Sequence, residues 1–259
     1  MKKRSDTQLT NQELYVKAHQ KHHFQVAAYR ILIFVAFLVL WEFSVAFGWL
    51  DAFFFASPSR VILCFIDMVL NKSLFMHIGI TLLETLVSFL LVFVISLVSA
   101  TMLWYSGKLS EILEPYLVIL NSLPKSALAP LFIVWLGTGT TTIIVAGISV
   151  AVFGSIISFF TAFQQISESK ITLIYTLGGN KNHALKKVVL PGSIPTLIST
   201  AKVNIGLSLV GVIIGEFLAA RRGLGYLIIY GSQVFQLNMV ITSIIILCII
   251  AMGFYKVIQ

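Results

Sequence analysis

The stretch that decides the fold is ESKITLIYTLGGNKNHALKKVVLP, residues 168–191. It is the longest charge-bearing interruption in the second half of an otherwise apolar chain. Within its first half, Ile171, Ile174, Tyr175 and Leu177 recur every three to four residues, which is the spacing of one helical face. The pattern predicts a short amphipathic helix whose apolar side needs a partner.

A glycine pair follows this helix. Gly178, Gly179 and Asn180 are the residue types that most readily adopt positive φ, so they suit the end of one helix and a sharp turn. A second short helix is predicted over residues 181–189, with apolar residues on one side and lysines on the other. On pattern alone, the alternative is a connecting loop whose lysines hold it on the cytoplasmic side of a membrane.

The composition indicates a membrane protein. Hydrophobic residues make up 58% of the 259 positions, above the roughly 45–50% of ordinary globular domains, and charged residues make up 11% against about 25%. The net charge of +8 could suggest nucleic acid, but six of the eighteen basic residues lie in the first thirty positions. Basic flanks of membrane spans explain the charge better, so we expect no nucleic-acid partner.

We therefore predict an all-α integral membrane protein with about six transmembrane helices. A helix rises about 1.5 Å per residue, so roughly twenty residues cross about 30 Å of hydrocarbon. The apolar segments that approach this length are residues 31–48, 78–104, 115–136, 141–164, 194–218 and 239–255.

An even number of spans places both termini on one side of the membrane. Residues 1–30 carry +4 (six basic, two acidic), and residues 168–187 carry +3 (four lysines, one glutamate), so both are expected in the cytoplasm. We expect one domain: a basic cytoplasmic tail (1–30), a first span with an external segment (31–76), and a transmembrane domain (77–258) that contains the 168–191 loop.

The third span carries Pro115, Pro124 and Pro130, after a predicted turn over residues 105–114. Interior prolines remove backbone hydrogen bonds, so this span is predicted to be bent or broken. Lys125 stands beside Pro124, and its ammonium is expected either to line a polar translocation path or to extend to a membrane surface.

Other charges fall inside predicted spans. Glu42 is expected to be satisfied structurally, because an ionised carboxylate facing lipid is costly. Lys202 and Glu216 lie in the fifth span and have two interpretations of equal weight: they contact an anionic solute on the translocation path, or they pair with each other or line a polar seam. Arg221-Arg222 would be external, where they could pair with Glu216 or meet an anion.

The loop resembles the cytoplasmic coupling loop of ATP-binding-cassette (ABC) importer permeases, whose pattern is Glu-Ala-Ala, three residues, Gly, nine residues, Ile-x-Leu-Pro. Gly178 falls on the glycine and Val188-Val189-Leu190-Pro191 fits the closing element, whereas Thr172-Leu173-Ile174 departs from Glu-Ala-Ala. The segments NSLPKSALAPLFIVWLG (121–137), FASPSR (55–60) and RRGLGYLI (221–228) are similar to the nitrate/sulfonate/taurine branch of that family.

The resemblance implies a type-1 importer permease that binds a dimeric ABC ATPase, an extracytoplasmic solute-binding protein and a second copy of itself. The residues expected to form the ATPase-coupling loop are Thr172, Leu173, Tyr175, Leu177, Gly178, Gly179, Leu190 and Pro191. The implied solute is small and mostly anionic, with a thiamine precursor or other vitamin-like solute as the alternative.

No catalytic, nucleotide-binding or metal-binding motif occurs in the sequence, and no cofactor is expected. A permease of this kind would take its free energy from the partner ATPase. The rival from another class is an ion-coupled secondary carrier, which would use Glu42, Glu84 and Glu216 as proton sites.

Overall fold

A computed structural model describes residues 11–257, and every regular element in that range is helical. The elements are α1 (Asn11–Ala46), α2 (Ala52–Phe55), α3 (Pro58–Leu70), α4 (Ser73–Tyr105), α5 (Gly107–Ser122), α6 (Lys125–Leu136), α7 (Thr140–Gln164), α8 (Glu168–Thr176), α9 (Lys181–Ala184), a π turn (Leu185–Val189), α10 (Leu190–Ala219), α11 (Leu224–Gln233) and α12 (Leu237–Val257).

The chain divides into two compact units, residues 1–62 and residues 63–259. In the first unit α1 is 36 residues long, so the segment predicted as a tail is helical from residue 11 onwards. Residues 1–10 of that predicted tail lie outside the described range. The Glu42 carboxylate accepts hydrogen bonds from the Ser59 amide (3.0 Å) and hydroxyl (2.8 Å), in the first turn of α3, which confirms its structural satisfaction.

The predicted apolar segments correspond to the long helices. Five continuous helices in the described range are long and apolar enough to cross a membrane, and a sixth candidate is the pair α5 and α6, which is bent by 95°. The bend falls at Leu123 and Pro124, as the prolines of this segment predicted. Pro115 and Pro130 are accommodated inside α5 and α6.

The predicted turn over residues 105–114 is wrong. Helix α5 begins at Gly107, directly after α4 ends at Tyr105, and a single residue breaks the chain between them. That residue is Ser106, whose hydroxyl accepts a hydrogen bond from the Leu109 amide at 3.3 Å and so caps the new helix. One capping serine therefore replaces the ten-residue turn.

The second unit is built around α7, which packs between α4 and α10. Phe159 and Phe163 of α7 are fully buried, together with Val92 of α4 and Val189 of the π turn. Small residues allow the close approach that membrane helices favour. A side-chain carbon on Gly147 of α7 would lie within 3 Å of atoms on both neighbouring helices.

We predict that Gly211→Ala destabilises the protein more than Gly206→Ala does. Both glycines lie in α10 and both substitutions improve helix propensity by about 1 kcal/mol. Only at Gly211 would the new carbon meet the backbone of α7, 2.8 Å from the Ala146 oxygen, and such overpacking costs about 1–3 kcal/mol. Nothing lies within 4 Å at Gly206, so it is the matched control.

The measurement is the thermal unfolding midpoint of each variant in the same detergent. A lower midpoint for Gly211→Ala than for Gly206→Ala is expected. Equal midpoints would show that the contact between α7 and α10 tolerates an extra carbon.

Candidate functional site

The helix–glycine–helix predicted over residues 168–191 is confirmed as local structure. Helix α8 ends at Thr176, and Gly178 takes φ of +77°, a conformation that favours glycine. The Gly178 amide donates to the Tyr175 carbonyl (3.0 Å), and the Gly179 amide donates to the Ile174 carbonyl (2.8 Å). These bonds close the end of α8 before α9 begins at Lys181.

The fifth predicted span, residues 194–218, lies within a longer helix, because helical structure is continuous from Lys181 to Ala219. Pro191 lies inside this run rather than between two helices. A proline has no amide hydrogen and crowds the carbonyl four residues earlier. The helix widens into a π turn just before it, where the Leu190 amide donates to the Leu185 carbonyl.

Of the apolar side chains in and just after α8, one faces the core of the second unit and three are exposed. Ile171 is half-buried and packs against the core of the second unit. Leu173, Tyr175 and Leu177 are exposed, Leu177 by 75%. Three large apolar side chains exposed together beside one turn are unusual on a protein surface that binds no partner.

Lys181 connects this segment to the end of α4. Its Nζ donates a 2.8 Å hydrogen bond to the Tyr105 carbonyl, in the last turn of α4, where the helix dipole favours a cation. The same ammonium lies 5.4 Å from the centroid of the Trp104 ring and 5.6 Å from that of Tyr105. Sequence reasoning missed this contact, because no local pattern pairs a lysine with aromatic residues more than seventy positions earlier.

The opposite end of the second unit contains a network around the turn that follows α10. Three successive backbone amides there donate to buried side chains: Gly223 to His77 Nδ1 (3.0 Å), Leu224 to Thr81 Oγ1 (2.9 Å) and Gly225 to Glu216 Oε2 (2.5 Å). We call this arrangement the amide network. It joins α4 and α10 to the start of α11.

Glu216 is the central acceptor of the amide network. It is 1% exposed, and its second oxygen accepts a 2.6 Å hydrogen bond from the Thr81 hydroxyl. Gly223 has φ of +120°, and a side-chain carbon there would overlap the Glu216 carboxyl group. The turn therefore requires glycine both for its backbone conformation and for room beside the carboxylate.

The predicted pairing of Lys202 with Glu216 is wrong. Both lie on α10, fourteen residues apart, which is about 21 Å along the helix axis. Both oxygens of Glu216 are also engaged by Thr81 and Gly225, which accounts for this carboxylate without Arg221 or Arg222. Lys202 itself is half-buried.

Lys125 lies at the break between α5 and α6. It is half-buried, and its ammonium donates to the Asn121 carbonyl in the last turn of α5. A cation at a helix C-terminus satisfies a carbonyl that lacks an intrahelical partner. This contact gives Lys125 a structural role at the bend, and a role on the translocation path stays a prediction.

Beside the amide network lies a cavity of about 500 Å³, which we call the Glu84 cavity. It is lined by Ile80, Glu84, Thr138, Gly139, Thr140, Ile143, Ala219, Ala220, Arg221 and Arg222. Glu84 is 1% exposed, and its Oε2 has no hydrogen-bond partner within the described part of the chain. The sequence indicated a buried carboxylate at this position but gave no sign of the cavity.

Within residues 11–257, no group of three or more His, Cys, Asp or Glu side chains could hold a metal ion. His19 and His23, on successive turns of α1, contact each other at 3.0 Å between their Nε2 atoms.

The helices, the 95° broken span and the glycine-bent segment define a multi-pass membrane protein of the type-1 ABC importer permease fold. Residues 92–259 match the family described as "Binding-protein-dependent transport system inner membrane component", and the chain belongs to that family. It is therefore an ABC transporter permease, as the resemblance of the loop and the three other segments predicted.

The names of related permeases state different transported solutes. The chain is 24% identical to SsuC of Bacillus subtilis (strain 168), named as an aliphatic sulfonates transport permease protein, over 85% of this chain and 80% of that one. It is 24% identical to the formylaminopyrimidine transport permease protein ThiX of Halalkalibacterium halodurans, over 75% and 77% of the two chains.

A solved structure confirms the fold. A chain of the MetNI methionine ABC transporter in an inward-facing conformation superposes with a TM-score of 0.63. The two chains are 20% identical, and the superposition covers 73% of this chain and 94% of that one.

We predict that Thr81→Val destabilises the amide network strongly. The valine removes the donor to Glu216 and the acceptor for the Leu224 amide, and each buried polar group left without a partner costs about 1–3 kcal/mol. Thr101→Val is the control on the same helix, because the Thr101 hydroxyl only donates to the Leu97 carbonyl one turn earlier.

Two measurements check this prediction: the thermal unfolding midpoint in detergent, and the rate of tryptic cleavage after Arg221 and Arg222 in the folded protein. Thr81→Val should lower the midpoint and speed cleavage, and Thr101→Val should leave both near the wild-type values. If the two variants behave alike, the Thr81 hydroxyl does not hold the turn.

Proposed function

We propose that this chain is the permease subunit of an ATP-driven importer and that residues 168–191 couple it to a separate ATPase subunit. The observation that carries the proposal is the exposure of Leu173, Tyr175 and Leu177 around the Gly178 bend. Their apolar surface projects away from the core of the second unit. Membership of the family of binding-protein-dependent transport components supports the same assignment.

The contacts of this segment suit the transmission of a displacement. Ile171 attaches α8 to the apolar core of the second unit. Lys181 attaches α9 to the end of α4. From Lys181 a continuous helix leads to Ala219, beside the amide network. A movement imposed at Gly178 would therefore reach the far end of the unit along one rigid element, as a two-state gate requires.

Thr172 occupies a position where the loop pattern has glutamate. An ion pair from that glutamate is not available to this chain, so we expect the docking surface to be mainly apolar. In this proposal Lys181 supplies an electrostatic attachment of the loop to its own bundle, through the Tyr105 carbonyl and the Trp104 ring.

Partners and orientation follow from the same proposal. Two copies of the chain would engage two ATPase subunits, and an extracytoplasmic binding protein would deliver the solute. The loop would then be cytoplasmic, with both termini on that side, in agreement with the basic residues of residues 1–30 and 168–187. The cytoplasmic tail (1–30), the first span with its external segment (31–76) and the transmembrane domain (77–258) remain the proposed domain organisation.

We propose a small anionic solute, such as a sulfonate, with a thiamine-precursor-like solute as the alternative. SsuC, named for aliphatic sulfonates, supports the first solute, and ThiX, named for formylaminopyrimidine, supports the alternative. The chain is 24% identical to each of them, so identity does not favour either solute. An ion-coupled carrier is less favoured, because two of its three candidate proton sites have structural partners. Glu42 caps α3, and both oxygens of Glu216 hold the amide network.

We predict that Gly178→Val abolishes coupling while leaving insertion and folding intact. A side chain at Gly178 would meet nothing within 4 Å, so the substitution acts only through its φ of +77°. A β-branched residue in that conformation is strained by about 1–3 kcal/mol and would shift the bend. The expected result is a loss of at least about tenfold in permease-stimulated ATP hydrolysis, measured in proteoliposomes that hold permease, ATPase and binding protein.

The matched control is Gly48→Val, because Gly48 has φ of +74°, also has nothing within 4 Å, and lies outside residues 168–191. It should reproduce the strain and keep stimulated hydrolysis within about twofold of wild type. Wild-type hydrolysis in Gly178→Val would remove the loop from the mechanism. Solute accumulation by the permease alone, abolished by an uncoupler, would replace the importer with the carrier.

A further inference from the structure

His77 is an acceptor of the amide network whose hydrogen bond depends on its own protonation state. It is buried near the beginning of α4, and its Nδ1 accepts the Gly223 amide at 3.0 Å. A backbone amide can only donate, so Nδ1 carries no proton in this contact. The turn after α10 therefore requires a neutral imidazole, with its single proton on Nε2.

Protonation of His77 would leave the Gly223 amide without an acceptor. Both ring nitrogens of an imidazolium are donors, so no rotation of the ring restores the hydrogen bond. The ring also stacks on Tyr226 of α11, with the two ring planes 11° apart. A buried amide that loses its acceptor is costly, so the uptake of a proton favours opening of the turn.

Glu84 and Glu216 form a second contact that depends on a proton. The Glu84 carboxyl group shares a hydrogen bond with Glu216 and bonds Thr140 at the start of α7. Two carboxyl groups can share a hydrogen bond only if one of them carries a proton, and Glu216 already accepts from a hydroxyl and an amide. Glu84 therefore holds the proton, and acid leaves this contact intact, so acidification acts on the network through the histidine.

The charges around the imidazole come from the elements that the network joins. Glu216 of α10 is the negative group, and it is already engaged by the turn. Arg221 and Arg222 are exposed in the residues that follow α10, and Arg222 opposes a second positive charge at His77. Helix α7 contains no titratable side chain, and the titratable residues of α11 are tyrosines. Repulsion by the arginines thus acts in the same direction as the lost hydrogen bond.

We propose that His77 makes the amide network a proton-sensitive latch. With a neutral imidazole the latch is closed, and the turn ties α10 and α11 to α4. When acid protonates His77, the turn opens and releases the far end of the helix that begins in the coupling segment. The latch is a property of this chain alone, whereas its effect on transport, a loss of coupling in acid, rests on the proposed import function.

The latch is tested by hydrogen exchange in the purified full chain, followed in the peptide that contains residues 221–227. Exchange is compared at about pH 7.5 and about pH 5, on either side of the ordinary range of histidine, after correction for the intrinsic effect of pH. Wild type should lose at least about tenfold of its protection in acid, the ratio expected for one buried hydrogen bond. This comparison needs no variant.

The variant His77→Asn separates the acceptor from the titration. Its side-chain oxygen can take the place of Nδ1 and does not bind a proton in this range, so protection should be retained at both pH values. His77→Phe keeps a ring but has no acceptor, so its turn should exchange rapidly at both. His183→Asn is the matched control, because His183 Nδ1 also accepts a backbone amide, from Asn180 at 3.3 Å, but within the coupling segment. It should keep the wild-type response of residues 221–227.

Equal wild-type protection at the two pH values, or a response to acid that persists in His77→Asn, would overturn the latch. Its effect on transport is measured as permease-stimulated ATP hydrolysis in proteoliposomes, with the ATPase in the outer medium at about pH 7.5 and the lumen at about pH 5. Wild type should lose most of its stimulation, and His77→Asn should keep it. Unchanged wild-type stimulation would reject the role of the latch in coupling. Stimulation that does not depend on Gly178 would reject the import function itself and leave the exchange result standing.

Discussion

The structure depends on satisfying polar backbone groups where water is scarce. The turn after α10 has three successive amides that no helix can use, and buried side chains of α4 and α10 accept all three. Without those acceptors the turn could not lie against apolar helices, because an unpaired polar group in a membrane costs several kcal/mol. Glu216 is therefore a structural carboxylate, and its partners fix where α4, α10 and α11 meet.

This arrangement has a consequence for function. It ties the far end of α10 firmly, so that a helix that begins in the coupling segment ends in a fixed hydrogen-bond network. Close glycine contacts between α7 and α10 make the intervening bundle resist deformation.

Composition and spacing predicted the features that depend on local chemistry. The apolar segments, the broken third span and the bend at Gly178 all follow from hydrophobic length, proline and glycine, and the structure confirms them. The resemblance of several short motifs predicted the family, and the family match confirms it.

The wrong and missing predictions share one cause: they concern contacts between residues far apart in the sequence, or local features that offset one another. The side-chain donor to Glu216 is Thr81, 135 residues away, so sequence proximity suggested Lys202 and the arginines instead. Ser106 shortened a predicted turn to one residue because it caps the next helix, and the π turn allowed helix to continue through Pro191. No periodic pattern reports such long-range or compensating interactions.

The central claim is that the bend at residues 168–191 contacts a separate ATPase subunit. The most direct measurement is photo-crosslinking in membranes that contain the purified ATPase subunit, with the crosslinking amino acid placed at Leu177. Trp135, which is also exposed but lies at the opposite end of the second unit, is the comparison position. The account predicts a crosslink to the ATPase from position 177 and none from position 135. No crosslink from 177, or equal crosslinking from both positions, would contradict it.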